Sequence, residues 1–322
     1  MRFLVVRFSS LGDIITTTAF LVALRERYPE AEIYYATKHQ FAELLEDQPY
    51  LNGVFGLKDN ESLPVYAKRI NLGFDCVFDL HKNPRSMLLG YLLQPKQIKR
   101  VKKHTLYRLS LVYPILKPVA RKRKTRYNID DQLDLIGADY SFKPRLFVEK
   151  ANLGLKRPIV GIAAGAKWET KRWRIDGFEE LIGMLHENCG ASIVLFGSKD
   201  EESIGKRLSK ACESVLNLTG KLSIRQTASC MADCDIVVSN DSALMHMAVA
   251  LDKPVVAIFG PTVEGFGFFP KSEKSLVIEN RELTCRPCSL HGTNRCPRND
   301  HACMKEIDAL SVFEGVKKLI GE

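Results

Sequence analysis

Residues 2–27 read RFLVVRFSSLGDIITTTAFLVALRER and change character twice along their length. Residues 2–8 are mostly β-branched or aromatic, which is typical of a strand. The Ser-Ser-Leu-Gly-Asp turn at 9–13 then leads into a helical pattern over 14–27, which ends at Tyr28-Pro29. The segment therefore predicts a strand, a turn and a helix at the start of an open α/β sheet.

The same alternation continues along the first half of the chain. A helical pattern covers 40–46, and strand patterns lie at 32–36, 53–57 and 76–80. Alternating strands and helices are typical of a parallel sheet that is covered on both faces.

A basic region interrupts this alternation between about 95 and 126. It contains PKQIKRVKKH and ARKRKTR and no long apolar run, so we interpret it as a surface insertion. A helix is predicted at 129–135, and residues 143–154 are interpreted as an extended linker.

The second half repeats the opening pattern, with a strand at 159–163, a turn at 164–166 and a helix at 177–189. The sequence thus predicts an α/β fold with two doubly wound Rossmann-like domains, 1–153 and 154–322, which face each other across a cleft. Further strands are predicted at 192–196, 236–239 and 254–259, and a last helix at 311–320, with packing against the first domain as one option.

Charge and hydropathy restrict the partners and the location. The formal charge of +9 indicates an anionic partner, which could be a nucleic acid, a phosphorylated small molecule or an acidic membrane surface. No apolar run approaches the roughly 18–20 residues of a membrane-spanning helix, and the start lacks the features of a signal peptide. We therefore expect a cytoplasmic protein.

Asp13 is the first candidate functional residue. A carboxylate at a helix start is stabilised by about 0.3–1 kcal/mol, and a plain N-cap would explain it equally well. Its place in the first strand-to-helix turn, at the edge where open sheets bind ligands, favours a functional role. The turn lacks the GxGxxG pattern, which argues against a nicotinamide dehydrogenase.

Two segments of the second half suit an anionic ligand. AGAKWETKRW combines small residues with positive charge, and Lys171 lies within it. SNDSALMHMAVAL follows a buried strand and gathers polar side chains at a helix start, and the next strand ends at Gly260-Pro261-Thr262. The candidate residues here are Asp241, Ser242, Ala243, His246 and Thr262.

Four cysteines lie close together near the C-terminus. Cys285, Cys288, Cys296 and Cys303 form a CxxC pair and a wider CxxxxxxC pair. A structural zinc site, a disulfide pair and plain reduced thiols all remain open, because the second pair departs from the usual zinc spacing.

In order along the chain, these segments resemble glycosyltransferase family 9, the bacterial lipopolysaccharide heptosyltransferases, and are most similar to the heptosyltransferase II branch. The resemblance runs nearly end to end, and it includes DLHKNPRS and LTGKLSIRQTA as well as the segments above. One departure concerns Ala243-Leu244, because the family usually has glycine in this turn.

The resemblance implies the GT-B fold and transfer of L-glycero-D-manno-heptose from ADP-heptose to the lipid A–Kdo inner core, with inversion. An inverting displacement needs one base, and Asp13 matches the family's base position. The donor-binding residues would be Lys171, Asp241, Ser242, Ala243, His246 and Thr262, with no cofactor required and structural zinc as an option.

The acceptor and the membrane are the other implied partners. Acceptor-binding residues would be Ser10, Gly12, Arg85, Lys99 and Lys102, and the basic stretches would hold the enzyme peripherally on the inner leaflet. One alternative is a family 9 transferase with another nucleotide-sugar donor or acceptor. A basic nucleic-acid-binding protein is the other, but the sequence has no spacing typical of a nucleic-acid-binding motif.

Overall fold

The structure is a computed structural model that describes residues 1–116 and 126–321. Its contacts divide the chain into two units. The first unit comprises Met1–His104 and Tyr127–Phe147, and the second comprises Thr105–Arg126 and Val148–Glu322.

Each unit contains one parallel sheet. The first has the order β3-β2-β1-β4-β5 and the second β11-β10-β9-β6-β7-β8. The strands are β1 Arg2–Val6, β2 Glu32–Lys38, β3 Gly53–Leu57, β4 Cys76–Asp79, β5 Gln97–Arg100, β6 Ile159–Ala163, β7 Ser192–Leu195, β8 Val215–Asn217, β9 Ile236–Asn240, β10 Val255–Phe259 and β11 Ser275–Glu279.

Helices connect the strands and cover the sheets. They are α1 Leu11–Thr16, α2 Thr18–Arg27, α3 His39–Leu45, α4 Leu63–Ile70, α5 Pro84–Leu93, α6 Thr105–Val112, α7 Asn128–Leu133, α8 Ile175–Cys189, α9 Glu202–Leu208, α10 Ile224–Asp233, α11 Ala243–Ala250, α12 Ala302–Lys305 and α13 Ala309–Ile320. The helix predicted over 14–27 is therefore two helices, α1 and α2, which meet at Thr17.

The central strands explain where the cores lie. The residues of β6, β9 and β10 are buried, as expected for parallel strands covered on both faces. Trp173 fills the second core, where its ring packs edge-on against Phe178 with centroids 4.8 Å apart.

The basic region at 95–126 differs from the predicted surface insertion. Its first part forms β5, which pairs with β4 so that Asp79 faces Arg100. Its next part forms α6, which belongs to the second unit, where Arg108 lies over the Phe268 ring at 5.0 Å. The second basic run, at 120–126, falls almost entirely outside the described residues.

The last helix belongs to the second unit. Val312, Phe313 and Val316 are buried in the second core, and α13 packs on α8 and on strands β9, β10 and β11. Its apolar side chains recur at helical spacing and cover the second sheet. Packing of this helix against the first domain stays a prediction.

Each sheet has one point where the strand order reverses. In the first sheet this point lies between β1 and β4, and in the second it lies between β6 and β9. Open parallel sheets bind ligands at the carboxyl ends of the strands on either side of such a point. We call the carboxyl ends of β1, β4 and β5 the first edge, and those of β6, β9 and β10 the second edge.

Candidate active site

Asp13 lies at the first edge, in the first turn of α1. Its Oδ2 accepts hydrogen bonds from Ser10 Oγ at 2.8 Å and from the Ser10 backbone N–H at 3.3 Å. The Arg7 guanidinium forms an ion pair with the same oxygen at 2.6 Å. Among the described residues no contact of this kind reaches Oδ1, so one carboxylate oxygen is available to a ligand.

The environment keeps Asp13 ionised. Burial alone would raise the pKa of this carboxyl, but the Arg7 charge and the two Ser10 hydrogen bonds outweigh burial and hold the pKa below its usual value. The side chain is 21% exposed, so the carboxylate is within reach of a substrate. Ser10 holds Asp13 directly, whereas Gly12 is buried in the helix turn between them.

His81 follows β4 at the same edge, and the sequence analysis did not single it out. The Phe8 backbone N–H donates to His81 Nδ1 at 3.2 Å, and the Asn83 Nδ2 amide lies 3.1 Å from Nε2, so a donor group faces each ring nitrogen. The Asp79 carboxylate fixes this turn, since its Oδ1 accepts from the backbone N–H of His81 at 3.1 Å and of Lys82 at 2.7 Å.

Several cations lie around this imidazole. Burial is the largest cause that lowers the pKa of His81, to about 4. Arg7, Lys103 and Arg85 act in the same direction, and Asp13 opposes them. His81 is therefore neutral at physiological pH.

The predicted acceptor-binding cations are placed differently from one another. Arg85 is exposed in the first turn of α5, at the first edge. Lys99 lies within β5, and its ammonium donates to the Leu135 carbonyl at 3.2 Å and lies 5.9 Å from the Phe78 ring centroid. Lys102 is exposed after β5, but Lys103 is the cation that affects His81.

At the second edge, Lys171 and Asp241 form a buried ion pair. Their Nζ and Oδ2 atoms are 2.5 Å apart, with the side chains 15% and 7% exposed. Thr262 Oγ1 donates to the same Asp241 oxygen at 2.6 Å. The structure thus brings together three of the predicted donor-binding residues, which follow β6, β9 and β10.

Asn240, at the end of β9, connects this strand to the segment that follows β6. Its Nδ2 donates to the Ala164 carbonyl at 2.7 Å, and its Oδ1 accepts from the Trp173 backbone N–H at 3.1 Å. Ser242 caps α11 by accepting from the Leu244 N–H at 3.3 Å. Ala243 begins this helix, and His246 lies half-buried one turn further on.

Glu201 is a second polar residue that the sequence analysis missed at this edge. Its Oε2 accepts from the Ser198 N–H at 2.7 Å. A Cβ on Gly165 would lie 1.7 Å from Oε1, so only glycine leaves room for this carboxylate against the turn after β6. The hydrophilic sequence GSKDEE gave no means of separating Glu201 from its acidic neighbours.

Comparison with known proteins decides the family. A sequence model of glycosyltransferase family 9 (heptosyltransferase) matches residues 118–296, more than half of the chain. The chain belongs to this family. This family 9 glycosyltransferase is 27% identical to lipopolysaccharide heptosyltransferase 2 of Salmonella typhimurium, over 100% of this chain and 99% of that protein. It is 31% identical to lipooligosaccharide heptosyltransferase 2 of Haemophilus influenzae, over 51% of this chain but only 45% of that protein.

Solved structures agree on the fold of this glycosyltransferase. A family 9 glycosyl transferase from Veillonella parvula matches 99% of the chain with a TM-score of 0.79 at 20% identity, and the match covers 97% of that structure. ADP-heptose lps heptosyltransferase II of E. coli matches 99% with a TM-score of 0.77 at 22% identity and 98% coverage of that structure. The predicted GT-B fold is confirmed, as are the predicted family and enzyme class.

The cysteine-rich segment, 285–303, contacts two turns of the second edge in this family 9 enzyme. His301 Nε2 donates to the Thr170 carbonyl at 2.9 Å, and the Thr293 N–H donates to Thr170 Oγ1 at 2.8 Å. Arg286 is buried against Glu279 at 2.7 Å and donates to the Thr262 carbonyl at 2.9 Å. The segment therefore supports the turns that carry Lys171 and Thr262.

The cysteines themselves are free thiols. The pKa of Cys303 is raised to about 12, mainly by burial; Arg286 opposes the rise, and Cys285, Cys288 and Cys296 contribute to it. Among the described residues no group of three or more His, Cys, Asp or Glu side chains is arranged to hold a metal ion. The structure shows no disulfide between these residues, and a structural zinc stays a prediction.

Proposed function

We propose that the chain transfers L-glycero-D-manno-heptose from ADP-heptose to a hydroxyl of the lipopolysaccharide inner core, with inversion at the anomeric carbon. The observation that carries this proposal is Asp13, an ionised carboxylate with a free oxygen at the first edge. The names of the Salmonella and Haemophilus relatives support heptose transfer to lipopolysaccharide or lipooligosaccharide.

In this proposal Asp13 is the base. Its Oδ1 accepts the proton of the acceptor hydroxyl as that oxygen attacks the anomeric carbon, while Arg7 and Ser10 keep Oδ2 in place. A positioned general base contributes roughly 10²–10⁴-fold to a rate. His81 lies at the same edge, where its neutral imidazole would line the acceptor site.

Lys171 would neutralise the departing ADP. The bond to the sugar breaks with negative charge building up on the diphosphate, and a positioned ammonium together with backbone N–H groups stabilises that charge. The N–H groups at the start of α11, beside Ser242 and Ala243, would serve the same purpose. Asp241 and Thr262 hold the ammonium in place, and the Glu201 carboxylate would accept from the ribose hydroxyls.

We further propose that the enzyme works peripherally on the inner leaflet. The helix that starts at the first edge, α5, exposes Met87, Leu88 and Tyr91 by 46%, 48% and 74%. Nearby cations would add about 1 kcal/mol each on an anionic surface. Among the described residues no helix combines the length and apolar character needed to cross a bilayer. Cosedimentation with anionic but not neutral vesicles would support this, and equal recovery with both would contradict it.

The test of the reaction is release of ADP by purified protein given ADP-heptose and a lipid A–Kdo acceptor. The expected result is ADP release that requires both substrates and yields a heptosylated acceptor of the expected mass. Failure of ADP to appear, with a control heptosyltransferase active on the same substrates, would overturn the assignment.

A second donor remains a candidate because Ala243 stands where the family usually has glycine. Its methyl group lies at the first helical position of α11, beside the proposed diphosphate site. A screen of nucleotide sugars at equal concentration separates the two possibilities: faster transfer from another donor than from ADP-heptose would favour the alternative.

A further inference from the structure

The cysteine-rich segment, 285–303, is the sequence motif that the proposed reaction does not use. The structure describes all of residues 285–301, and they form neither a strand nor a helix. The shape of such a segment depends on the individual hydrogen bonds that it makes with its neighbours. The partners that it holds therefore indicate its role.

Thr170, the residue before Lys171, gives all of its polar groups to this segment. Its N–H donates to the Thr293 carbonyl at 3.1 Å, and its Oγ1 donates to that carbonyl and accepts from the Thr293 N–H, both at 2.8 Å. Its own carbonyl accepts from His301 Nε2 at 2.9 Å. Because Thr170 is 3% exposed, water has little access to these groups, and the segment determines where this residue lies.

Close packing accompanies these hydrogen bonds. Gly292 has a φ of 97°, and a Cβ at this position would lie 2.9 Å from Trp168 Cβ, so the segment lies directly against the Lys171 turn. His301 has a φ of 53°, in the left-handed region that is costly for a residue with a side chain. Such a conformation persists where the surrounding contacts favour it, as the hydrogen bond to Thr170 does here.

The same segment holds the turn that carries Thr262. The Arg286 side chain is 4% exposed and pairs with Glu279 at 2.7 Å. Its guanidinium also donates to the carbonyls of Gly260, Thr262 and Asn280, with the Thr262 contact at 2.9 Å. The planar fork of donors thus fixes the main chain just beyond β10 and β11.

The two turns meet at one carboxylate oxygen. Lys171 Nζ and Thr262 Oγ1 lie 2.5 Å and 2.6 Å from Asp241 Oδ2. Contacts of this length weaken when either partner is displaced, since their energy depends on distance and angle. A shift of the main chain at Thr170 or at Thr262 would therefore move the Lys171 ammonium or loosen its pair.

We propose that His301 and Arg286 are positioning residues of the donor site, which act through Thr170 and Thr262 to place the Lys171 ammonium for the donor diphosphate. This inference rests on the proposed function in assigning Lys171 to that diphosphate. Neither side chain needs to touch the donor, since each binds the main chain of a turn. The cysteine-rich segment then contributes to nucleotide affinity through residues other than its cysteines.

The first experiment measures ADP binding to the full-length protein by calorimetry. His301→Ala removes the donor to the Thr170 carbonyl, and the Kd for ADP should rise about two- to tenfold, the size expected for one hydrogen bond. His301→Gln offers an amide N–H in place of the ring N–H and should recover most of the wild-type affinity. In steady-state kinetics His301→Ala should raise the KM for ADP-heptose by a similar factor and leave the acceptor KM within about twofold.

His186→Ala is the matched control. His186 is a half-buried histidine of the same unit, and its Nδ1 lies 2.8 Å from Ser214 Oγ. Ser214 directly precedes β8, so this pair lies at the end of the sheet opposite to the second edge. His186→Ala should bind ADP as the wild type does, and thermal unfolding curves confirm that both histidine variants are folded.

Arg286→Lys tests the other turn. Lysine keeps a positive charge beside Glu279, but a single ammonium does not replace the planar fork that holds three carbonyls. The Kd for ADP should again rise about two- to tenfold. Arg281→Lys is the control, because Arg281 is exposed and pairs with the same Glu279 at 2.8 Å, and its Kd for ADP should not change.

The second experiment follows Lys171 without a nucleotide. Its ammonium is paired and the side chain is 15% exposed, so reductive methylation of Lys171 should be slow in the wild type. The rate is measured by mass spectrometry relative to Lys318, an exposed lysine of α13. Methylation of Lys171 should be several-fold faster in His301→Ala and unchanged in His186→Ala.

An unchanged Kd for ADP in folded His301→Ala and Arg286→Lys, or an equal rise in their controls, would overturn the inference. Wild-type protein that binds no ADP would instead reject the proposed donor, and the methylation rate of Lys171 would then decide whether His301 positions the ammonium. Wild-type protein that binds ADP but transfers no heptose would reject the reaction, and the positioning role would stand if the variants bind ADP as expected.

Discussion

The first and second edges each hold an aspartate beside a cation, yet the two pairs are built for different tasks. Asp13 is 21% exposed and uses only Oδ2 for Arg7 and Ser10. Asp241 is 7% exposed, and its Oδ2 accepts from both Lys171 and Thr262. Both carboxylates use only Oδ2 in these contacts, so exposure is what distinguishes the one that a substrate can reach.

The two edges also differ in how many of their cations lack an ion-pair partner. At the second edge Lys171 is paired with a carboxylate and Lys167 lies over the Trp168 ring at 5.2 Å. At the first edge three exposed cations form no ion pair among the described residues: Lys82, Arg85 and Lys103. The comparison indicates that the second edge is pre-organised for one ligand by a buried pair. The first edge keeps an exposed set of charges for a larger and more hydrated partner.

The largest expected effect is on catalysis at the first edge. Asp13→Asn should lower kcat by roughly 10²–10⁴ because the amide cannot take the acceptor proton. The same substitution should lower the free energy of unfolding by about 1 kcal/mol, since the Arg7–Asp13 pair is partly exposed. Steady-state kinetics and a urea unfolding curve check this, with Asp134→Asn on the same unit as a control. Wild-type kcat in Asp13→Asn would remove Asp13 from the mechanism.

The matching change at the second edge should act on stability instead. Asp241→Asn leaves the Lys171 ammonium largely buried without its carboxylate, and loss of one partner of a buried pair costs about 3 kcal/mol. The midpoint of urea unfolding should fall, and the donor KM should rise. If Asp241→Asn were no less stable than Asp13→Asn, the contrast between the two edges would be wrong.

A third prediction concerns pH. Because the pKa of Asp13 is lowered, the carboxylate and the stability it confers are present above the usual Asp value and are lost only as pH falls through the lower folded value. Arg7→Gln removes the main opposition to burial, so the acid limb of kcat/KM should move up by about 1–3 pH units. In Arg7→Lys the acid limb should return most of the way to its wild-type position. If the acid limb did not move in Arg7→Gln, it would report the titration of a group other than Asp13.

The smallest effect separates Lys102 from its neighbour. Lys102→Gln should change the acceptor KM by less than about twofold, because screened surface charges contribute little. The adjacent Lys103→Gln should change it by about tenfold. Equal effects of the two variants would mean that the basic stretch acts as a diffuse patch.

Each strand that was not predicted from the sequence is an outermost strand of its sheet. β5 borders the first sheet, and β8 and β11 border the second. Edge strands are half exposed and often carry charge, as in the QIKR of β5, so they lack the apolar run that identified the central strands. The order of motifs sufficed for the fold class because the buried central strands carry the strongest pattern.

A site residue could be predicted from the sequence when it follows a strand that was itself predicted. Asp13, Lys171, Asp241 and Thr262 all do so, and the structure gathers the last three. Lys99 was predicted at the acceptor site from the charge of its basic stretch, and the strand that holds it was not predicted. His81 and Glu201 acquire their roles from partners far away in sequence or from backbone geometry, which a single sequence does not contain.

The cysteine-rich segment supports the second edge, so this edge can be completed only after that segment has been synthesised. The turn with Lys171 lacks its contacts to Thr293 and His301 until those residues have left the ribosome, and the turn with Thr262 likewise waits for Arg286. The first edge draws its partners from residues 7–103. The first edge can therefore take its final form before the second edge does.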